Sequence, residues 1–230
     1  MTTSGRGWLR GLVVVGPVVF TADWLVLGRS HPGFRPDRET ISSLSAHGAS
    51  GWPVMVLGQL VLAASFLAVA VLCLRRLGRP GLAPAVLFGL AAMGTLQLSA
   101  FRTICTPVDS SWCTPMPRSA FPHQQWAHGV GTGVAFAALL LAGLALPWAA
   151  RADPRWRPVA VVGTLAELVA VPSLAWFLYA GPALHGLAEK SFLTSLAVFA
   201  GYAGWTLGSP ETEATARRQA APGLRRDGHP

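Results

Sequence analysis

Long runs of apolar residues, separated by short polar segments, make up most of this chain. Six of them approach the length of about 20 residues that an α-helix needs to cross the hydrocarbon core of a bilayer. They lie at about residues 8–28, 52–74, 81–101, 127–150, 158–184 and 188–208. The pattern predicts an all-α membrane protein, a bundle of six transmembrane helices within residues 1–208. Residues 209–230 are polar and rich in proline and alanine, which is typical of a disordered cytoplasmic tail.

Composition agrees with a membrane protein. Hydrophobic residues make up 52% of the chain and charged residues 12%, whereas soluble domains carry about 25% charged residues. The net charge of +8 does not indicate a nucleic-acid partner, because the arginines are scattered between apolar runs rather than gathered on one basic face. The expected partner is the lipid bilayer.

The distribution of basic residues predicts the orientation of the helices. With the N-terminus in the cytoplasm, 12 of the 18 basic residues fall in cytoplasmic segments, as basic residues do in most membrane proteins. Both termini are then cytoplasmic. All but one of the basic residues are arginine, and alanine, glycine and proline abound, which is typical of a GC-rich bacterial genome. We therefore expect a multi-pass protein of the bacterial cytoplasmic (plasma) membrane.

Two long segments fall on the predicted outer side. In residues 31–51, Pro36 and Asp37 can start a short helix that lies in the membrane interface with Ile41 and Leu44 on one face. In residues 102–128, several prolines favour a stiff cap over a helix. This cap contains Cys105 and Cys113, which are predicted to form a disulfide because the outer side is oxidising. Two free thiols are the alternative.

Polar residues within the apolar runs gather toward the predicted outer side, whereas the inner halves are almost wholly apolar. This distribution predicts a pocket that opens outward, and it argues against a through-pore, which needs polar lining on both sides. The candidate pocket residues are Asp23, Ser42, Ser45, His47, Gln59, Gln97, Arg102 and His123.

Two acids within apolar runs need a physical explanation, since an unpaired charge in a membrane is costly. Asp23 either belongs to a functional site or forms an ion pair with Arg29 or Arg102. Glu167 lies deeper and has no basic residue at its level. It is expected to be protonated and hydrogen-bonded to a neighbouring helix.

Histidines of the outer segments raise the alternative of a metal site. Asp109, His123 and His128 could bind zinc and leave one position open for a water molecule. Outer-side histidines more often form interfacial hydrogen bonds, so the expectation is a protein with no cofactor. Small residues at a spacing of four, Gly129 with Gly133 and Ala197 with Gly201, suggest close helix contacts.

The segments DRETISSLSAHGASGWPVM, before the second run, and FPHQQWAH, which enters the fourth, resemble a bacterial six-span membrane family, the domain of unknown function 998 (DUF998). The resemblance extends over roughly residues 8–208. The matching positions are Ser42, Ser43, Ser45, Asp109 and His128. The resemblance implies a fold and a membrane location but no activity.

Three functions are compatible with these features. The one we favour is a non-catalytic membrane protein whose outer pocket binds a lipid or another amphiphile, because no complete catalytic set is present. The second is an outer-leaflet lipid-modifying or metal-assisted hydrolase that uses Asp109, His128 and a serine such as Ser43. The third is a proton-coupled transporter that uses Asp23 and Glu167. Nothing in the sequence indicates an oligomeric state.

Overall fold

A computed structural model describes residues 4–105, 112–151, 153–179 and 184–209. Six α-helices account for most of this part of the chain. They are α1 (Ser4–Ser30), α2 (Trp52–Leu77), α3 (Leu82–Ala100), α4 (Pro122–Ala150), α5 (Arg157–Tyr179) and α6 (His185–Leu207). The predicted all-α class is confirmed for the described residues, where the only β-type pairing is an isolated bridge between His47 and Ile104. Asp109 and the tail from residue 210 lie outside them.

The helices form where apolar runs are long enough. Five stretches of the described chain are long and apolar enough to cross a membrane: Gly7–Ser30, Trp52–Leu77, Arg79–Ala100, Pro122–Ala150 and Pro154–Tyr179. The fourth helix begins at Pro122, five residues before the predicted run, although proline was expected to exclude a helix there. Proline is harmless in the first turn of a helix, because its missing N–H group has no partner at that position.

Consecutive helices run antiparallel. Successive pairs contact through Gly16 and Ser65, Phe66 and Phe88, Gly94 and Ala135, Gly143 and Glu167, and Phe177 and His185. The sixth helix then packs beside the first, where Gly204 contacts Val13. The start of α1 and the end of α6 therefore lie at one end of the bundle, which we call the basic end. Residues 31–51 and the described part of residues 101–121 lie at the other end and form what we call the lid.

The sixth helix lies among the others, in contact with α1, α2, α4 and α5. Its buried residues include Phe192, Leu196, Phe199 and Leu207. It is not one of the five stretches apolar enough to span a membrane. Because its neighbours shield much of its surface, it tolerates Glu189 and Lys190 in its first two turns.

The spacing of small residues correctly indicated a close contact at Gly201, where a Cβ would lie 3.2 Å from the Val13 carbonyl oxygen of α1, but not at Gly129 and Gly133. Gly129 and Gly133 have no other atoms within 4 Å of the position that a Cβ would take. A Cβ on Gly94 would lie 2.9 Å from the carbonyl oxygen of Gly131. Gly131 lies between the two predicted glycines on α4 and so faces a different direction. The close contact between α3 and α4 is formed there.

The lid is held together by backbone hydrogen bonds between its two segments. The His47 N–H donates to the Thr103 carbonyl at 2.8 Å, and the Thr114 N–H donates to the Gly48 carbonyl at 3.3 Å. Gly48 has a φ of 96°, a conformation that suits glycine. Cys105 and Cys113 are paired as a disulfide, with their Cα atoms 6.3 Å apart. Both cysteines pack on Ala46 and Ala49, so the two segments form one layer.

The predicted interface helix starting at Pro36 does not form. The structure has a short 3-10 helix at Ile41–Ser45 instead. Ile41 and Leu44 are buried as expected, but Ser43 and Ser45 are buried as well. Their hydroxyls donate to the carbonyls of Thr40 and Ser42, at 2.6 and 2.9 Å. Since these local bonds satisfy the serines, the segment can insert into the bundle rather than lie against lipid.

A buried lysine fixes the lid to α6. The Lys190 ammonium group donates to the carbonyl oxygens of Pro36 at 3.0 Å, Glu39 at 2.6 Å and Gly186 at 3.2 Å. The Glu39 carboxylate accepts a hydrogen bond from Trp112 Nε1 at 2.9 Å, so both lid segments join the same network. In addition, the Ile41 N–H donates to Glu189 Oε2 at 2.5 Å. Two neighbouring residues of α6 thus hold the segment that covers the bundle.

The contact between α3 and α4 predicts that Gly94→Ala destabilises the protein. The new Cβ would lie 2.7 Å from the Ala135 backbone nitrogen and 2.9 Å from the Gly131 oxygen, and backbone atoms cannot move aside easily. We expect a cost of about 1–3 kcal/mol, measured as a lower melting temperature in detergent. Gly89→Ala, on the same helix with no neighbour within 4 Å, is the control and should leave the melting temperature unchanged or higher. Equal losses in both variants would contradict the contact.

Lys190→Met is predicted to loosen the lid. The substitution removes the ammonium donor of three hydrogen bonds, and a bond from a charged donor contributes about 1.5–3 kcal/mol. Limited trypsin digestion should then cut after the exposed Arg38 at least about fivefold faster than in the wild type. The control is Arg29→Met, which removes an exposed arginine at the same end of the bundle. Unchanged cleavage in Lys190→Met would show that the lysine does not hold the lid.

Candidate functional crevice

A crevice lies beneath the lid, between α1, α2, α3, α4 and α6, with Ile41 and Ser42 at its roof. Its cavity volume is about 40 Å³, and the empty space that extends through the mouth into solvent is about 550 Å³. It is therefore narrow. The apolar lining consists of Phe20, Leu62, Phe66, Leu98, Ala135, Phe136, Leu139, Leu193 and Ala197.

Polar groups enter the crevice at five positions: Ser42, Gln59, Thr95, Thr132 and Glu189. The two threonine hydroxyls donate to carbonyls of their own helices, Thr95 to Ala91 at 2.8 Å and Thr132 to His128 at 3.0 Å. Each threonine proton is thus in use, while the oxygen keeps lone pairs that can accept a hydrogen bond. The polar lining therefore offers mainly acceptors.

Gln59 and Ser42 complete this polar lining. The Gln59 Oε1 atom lies 3.3 Å from the Ser99 hydroxyl, whose single proton can go either to it or to the Thr95 carbonyl oxygen at 3.1 Å. The remaining polar group of this side chain is its amide nitrogen, a neutral donor. The Ser42 hydroxyl is hydrogen-bonded to that of Thr40 at 3.0 Å, and either can donate.

Only two of the predicted pocket residues, Ser42 and Gln59, line the crevice. Gln97 instead joins α3 to α4, since its Nε2 atom donates to the Ala127 carbonyl at 2.8 Å. His128 is buried, and its Nδ1 atom is 2.8 Å from the Phe101 carbonyl oxygen. A carbonyl can only accept, so Nδ1 carries the proton. Ser45 lies in the lid, held by the local bond described above.

His47 and Arg102 are brought together inside the lid, apart from the crevice. An Arg102 Nη2 hydrogen donates to His47 Nδ1 at 3.1 Å, and the guanidinium carbon lies 3.8 Å from the centre of the Trp52 ring. Partial burial lowers the pKa of Arg102, but arginine remains protonated in proteins and therefore acts as the donor. His47 consequently carries its proton on Nε2, which donates to Gln124 Oε1 at 2.7 Å. This chain of bonds ties the lid to the start of α4.

The predictions for the two membrane acids need correction. Asp23 forms no ion pair with Arg29 or Arg102; its carboxyl lies against Gly58, and Oδ2 is buried without a hydrogen-bond partner. Glu167 was expected to hydrogen-bond to a neighbouring helix, but both of its carboxyl oxygens are buried without a partner. It lies against Gly143 of α4, where the absent side chain leaves room for it. Asp23 and Glu167, the predicted transporter pair, therefore lie in separate helix contacts. Asp23 lies between α1 and α2, and Glu167 lies between α4 and α5.

Nor does the structure assemble the residues of the hydrolase or zinc hypothesis. His123 is exposed at the start of α4, while His128 and Ser43 are each bonded to a backbone carbonyl. Asp109 lies outside the described residues. Within them, no group of three or more histidine, cysteine, aspartate or glutamate residues could hold a metal ion.

Sequence reasoning missed Glu189 and Lys190, the two residues of α6 that hold the lid. Both residues are about 96% buried. Both lie at the start of the sixth apolar run, and neither was among the candidate pocket residues. One signal was available, because Lys190 is the only lysine in the chain and directly follows an acid at the edge of an apolar run.

Comparison with known proteins supplies a family but no activity. No curated protein and no solved structure matches this chain. A family model described as a protein of unknown function, DUF998, matches residues 14–208. This range includes all six helices of the described structure, apart from the first turns of α1, and confirms the resemblance based on the ISSLS segment and the entry to α4. The chain therefore belongs to the DUF998 family of proteins of unknown function.

Proposed function

We propose that this protein is a six-span membrane protein whose crevice holds an amphiphile. The hydrocarbon chain would lie against Phe66, Phe136 and Leu139, and the polar head would lie beneath Ser42 and beside Glu189. The supporting observation is the crevice itself, which is apolar in depth and polar beneath the lid. Its narrowness suits an extended chain better than a bulky ring system.

We further propose that the lid faces the outside and that both termini are cytoplasmic, in the plasma membrane of a bacterium. Arg10 lies against Gly208 at the basic end, where the connections containing Arg79 and Arg155 also lie. Basic residues concentrate on the cytoplasmic side of most membrane proteins. The sixth span in this proposal is α6, whose polar first turns are covered by the lid and the other helices.

Narrowing the crevice should remove a bound lipid. Ala197 lines the crevice and is 2% exposed, so Ala197→Leu places a larger side chain where an acyl chain would lie. Lipid extracted from the purified protein after detergent exchange, quantified by mass spectrometry, should fall several-fold relative to wild type. Ala175→Leu, the same change at an exposed position of α5, is the control and should retain the lipid. Equal lipid in all three proteins would argue against an occupied crevice.

The orientation predicts different labelling at the two ends of the bundle. Arg38, in the lid, and Arg79, at the basic end, are both exposed and can be replaced by cysteine one at a time. A membrane-impermeant thiol reagent should label Arg38→Cys in intact cells and Arg79→Cys only after permeabilisation. The native cysteines interfere little, because Cys73 is buried and the other two are paired. The opposite labelling pattern would reverse the proposed orientation.

A further inference from the structure

We infer that the crevice selects amphiphiles whose head is a neutral hydroxyl, that is, lipid alcohols, over those that carry a phosphate. This inference rests on the proposed function and adds the chemistry of the head. It depends on two properties of the polar lining: the sign of its charge, and the balance between donors and acceptors.

The charge of the lining disfavours an anion. Among the described residues that line the crevice, Glu189 is the only one with an ionisable side chain. The nearest cation in sequence, Lys190, directs its ammonium group to the carbonyls of Pro36, Glu39 and Gly186. An ammonium group has three hydrogens to donate, so none is left for a ligand. A phosphate in the crevice would therefore be buried beside a carboxyl group, with no cation free to hydrogen-bond to it, which is costly.

Hydrogen-bond capacity favours a hydroxyl. Thr95 and Thr132 have committed their protons to backbone carbonyls, and Glu189 already accepts from the Ile41 N–H. These three side chains can offer oxygen lone pairs to a ligand. A ligand head must therefore donate. The Gln59 amide nitrogen supplies a complementary neutral donor, and a hydroxyl can both donate to the oxygens and accept from this amide.

An ammonium head satisfies fewer of these groups. It could donate to Glu189 and to the threonine oxygens, but it has no lone pair for the Gln59 amide. Burial of a donor without a partner costs free energy. A hydroxyl on a hydrocarbon chain therefore matches the polar lining more completely than either an ammonium or a phosphate does.

The test compares two lipids that share one acyl chain and a glycerol backbone and differ by a phosphate, monooleoylglycerol and oleoyl lysophosphatidic acid. Each is titrated into the purified full-length protein, and binding is followed by native mass spectrometry. We expect monooleoylglycerol to bind at least about tenfold more tightly, since an unpaired buried charge is costly. Oleylamine serves as the ammonium probe and should bind more weakly than monooleoylglycerol.

Substitutions of crevice residues test whether the crevice causes the preference between the lipids. Glu189→Gln removes the acidic group and keeps the shape, so the preference for monooleoylglycerol over the phosphate lipid should shrink. Thr132→Val removes one acceptor and should weaken monooleoylglycerol binding about fivefold, the effect of one neutral hydrogen bond. Thr164→Val is the matched control, because this exposed threonine also donates within its own helix, to Ala160 at 3.0 Å, but does not line the crevice. Thr164→Val should bind monooleoylglycerol like wild type. If Glu189→Gln does not fold, the comparison of Thr132→Val with Thr164→Val still tests whether the crevice binds the hydroxyl head.

The possible outcomes separate the inference from the proposed function. If the phosphate lipid binds as tightly as monooleoylglycerol or more tightly, and Ala197→Leu blocks it, the crevice binds amphiphiles and the inferred preference is wrong. Tighter binding of oleylamine would likewise overturn the preference. If none of the lipids binds, or if Ala197→Leu has no effect on any of them, the proposed function fails and the inference fails with it.

Discussion

The buried ammonium group of Lys190 is the interaction on which the arrangement around the crevice depends. A charge in the interior is tolerated only when its hydrogen-bonding groups are satisfied, and Lys190 meets this requirement with three backbone carbonyls, two of them in the lid. The lid and Lys190 depend on each other. The lid supplies acceptors that the lysine needs, and the lysine holds the lid segment over the helices. Ile41 and Ser42 are thereby placed as the roof of the crevice.

This anchoring also explains the polarity of the crevice. Since the lysine is committed to the lid, the neighbouring Glu189 is the ionisable group that remains in the lining. Threonines that bond back to their own helices add oxygens without adding free protons. A site with one acid, several acceptors and a narrow apolar floor is suited to a chain with a small donating head. It is poorly suited to the phosphate groups that dominate most membrane lipids.

Much of the fold could be predicted from the sequence, because membrane helices are determined by length and apolar content. The helix positions and the family follow from such local features. The lid could not be predicted in the same way. Whether Ile41–Ser45 lies in the interface or inserts into the bundle depends on bonds from Glu189 and Lys190, which are about 150 residues away. The contact between α3 and α4 was misplaced for a related reason. Small residues four apart occur on more than one face of α4, and only the packing of α3 selects the face of Gly131 over that of Gly129 and Gly133.

The sequence predicted an outward-facing polar pocket, whereas most of the residues that line the crevice are apolar. The accumulation of polar residues near one side of the apolar runs indicated a pocket, and Ser42 and Gln59 belong to its lining. Three of the other candidates, His47, Gln97 and Arg102, instead connect helices and lid segments. In a protein with few polar residues, structural hydrogen bonding and ligand binding draw on the same side chains. Sequence alone cannot assign each side chain to one of these roles.

The most direct measurement is a high-resolution density map of the protein in nanodiscs that contain native lipids. The account predicts elongated density within the crevice, running from beneath Ser42 past Phe66 and Leu139, with the lid closed over it and Lys190 bonded to the lid carbonyls. A map in which side chains such as Phe66 and Phe136 fill the crevice, with no density beneath a closed lid, would contradict it.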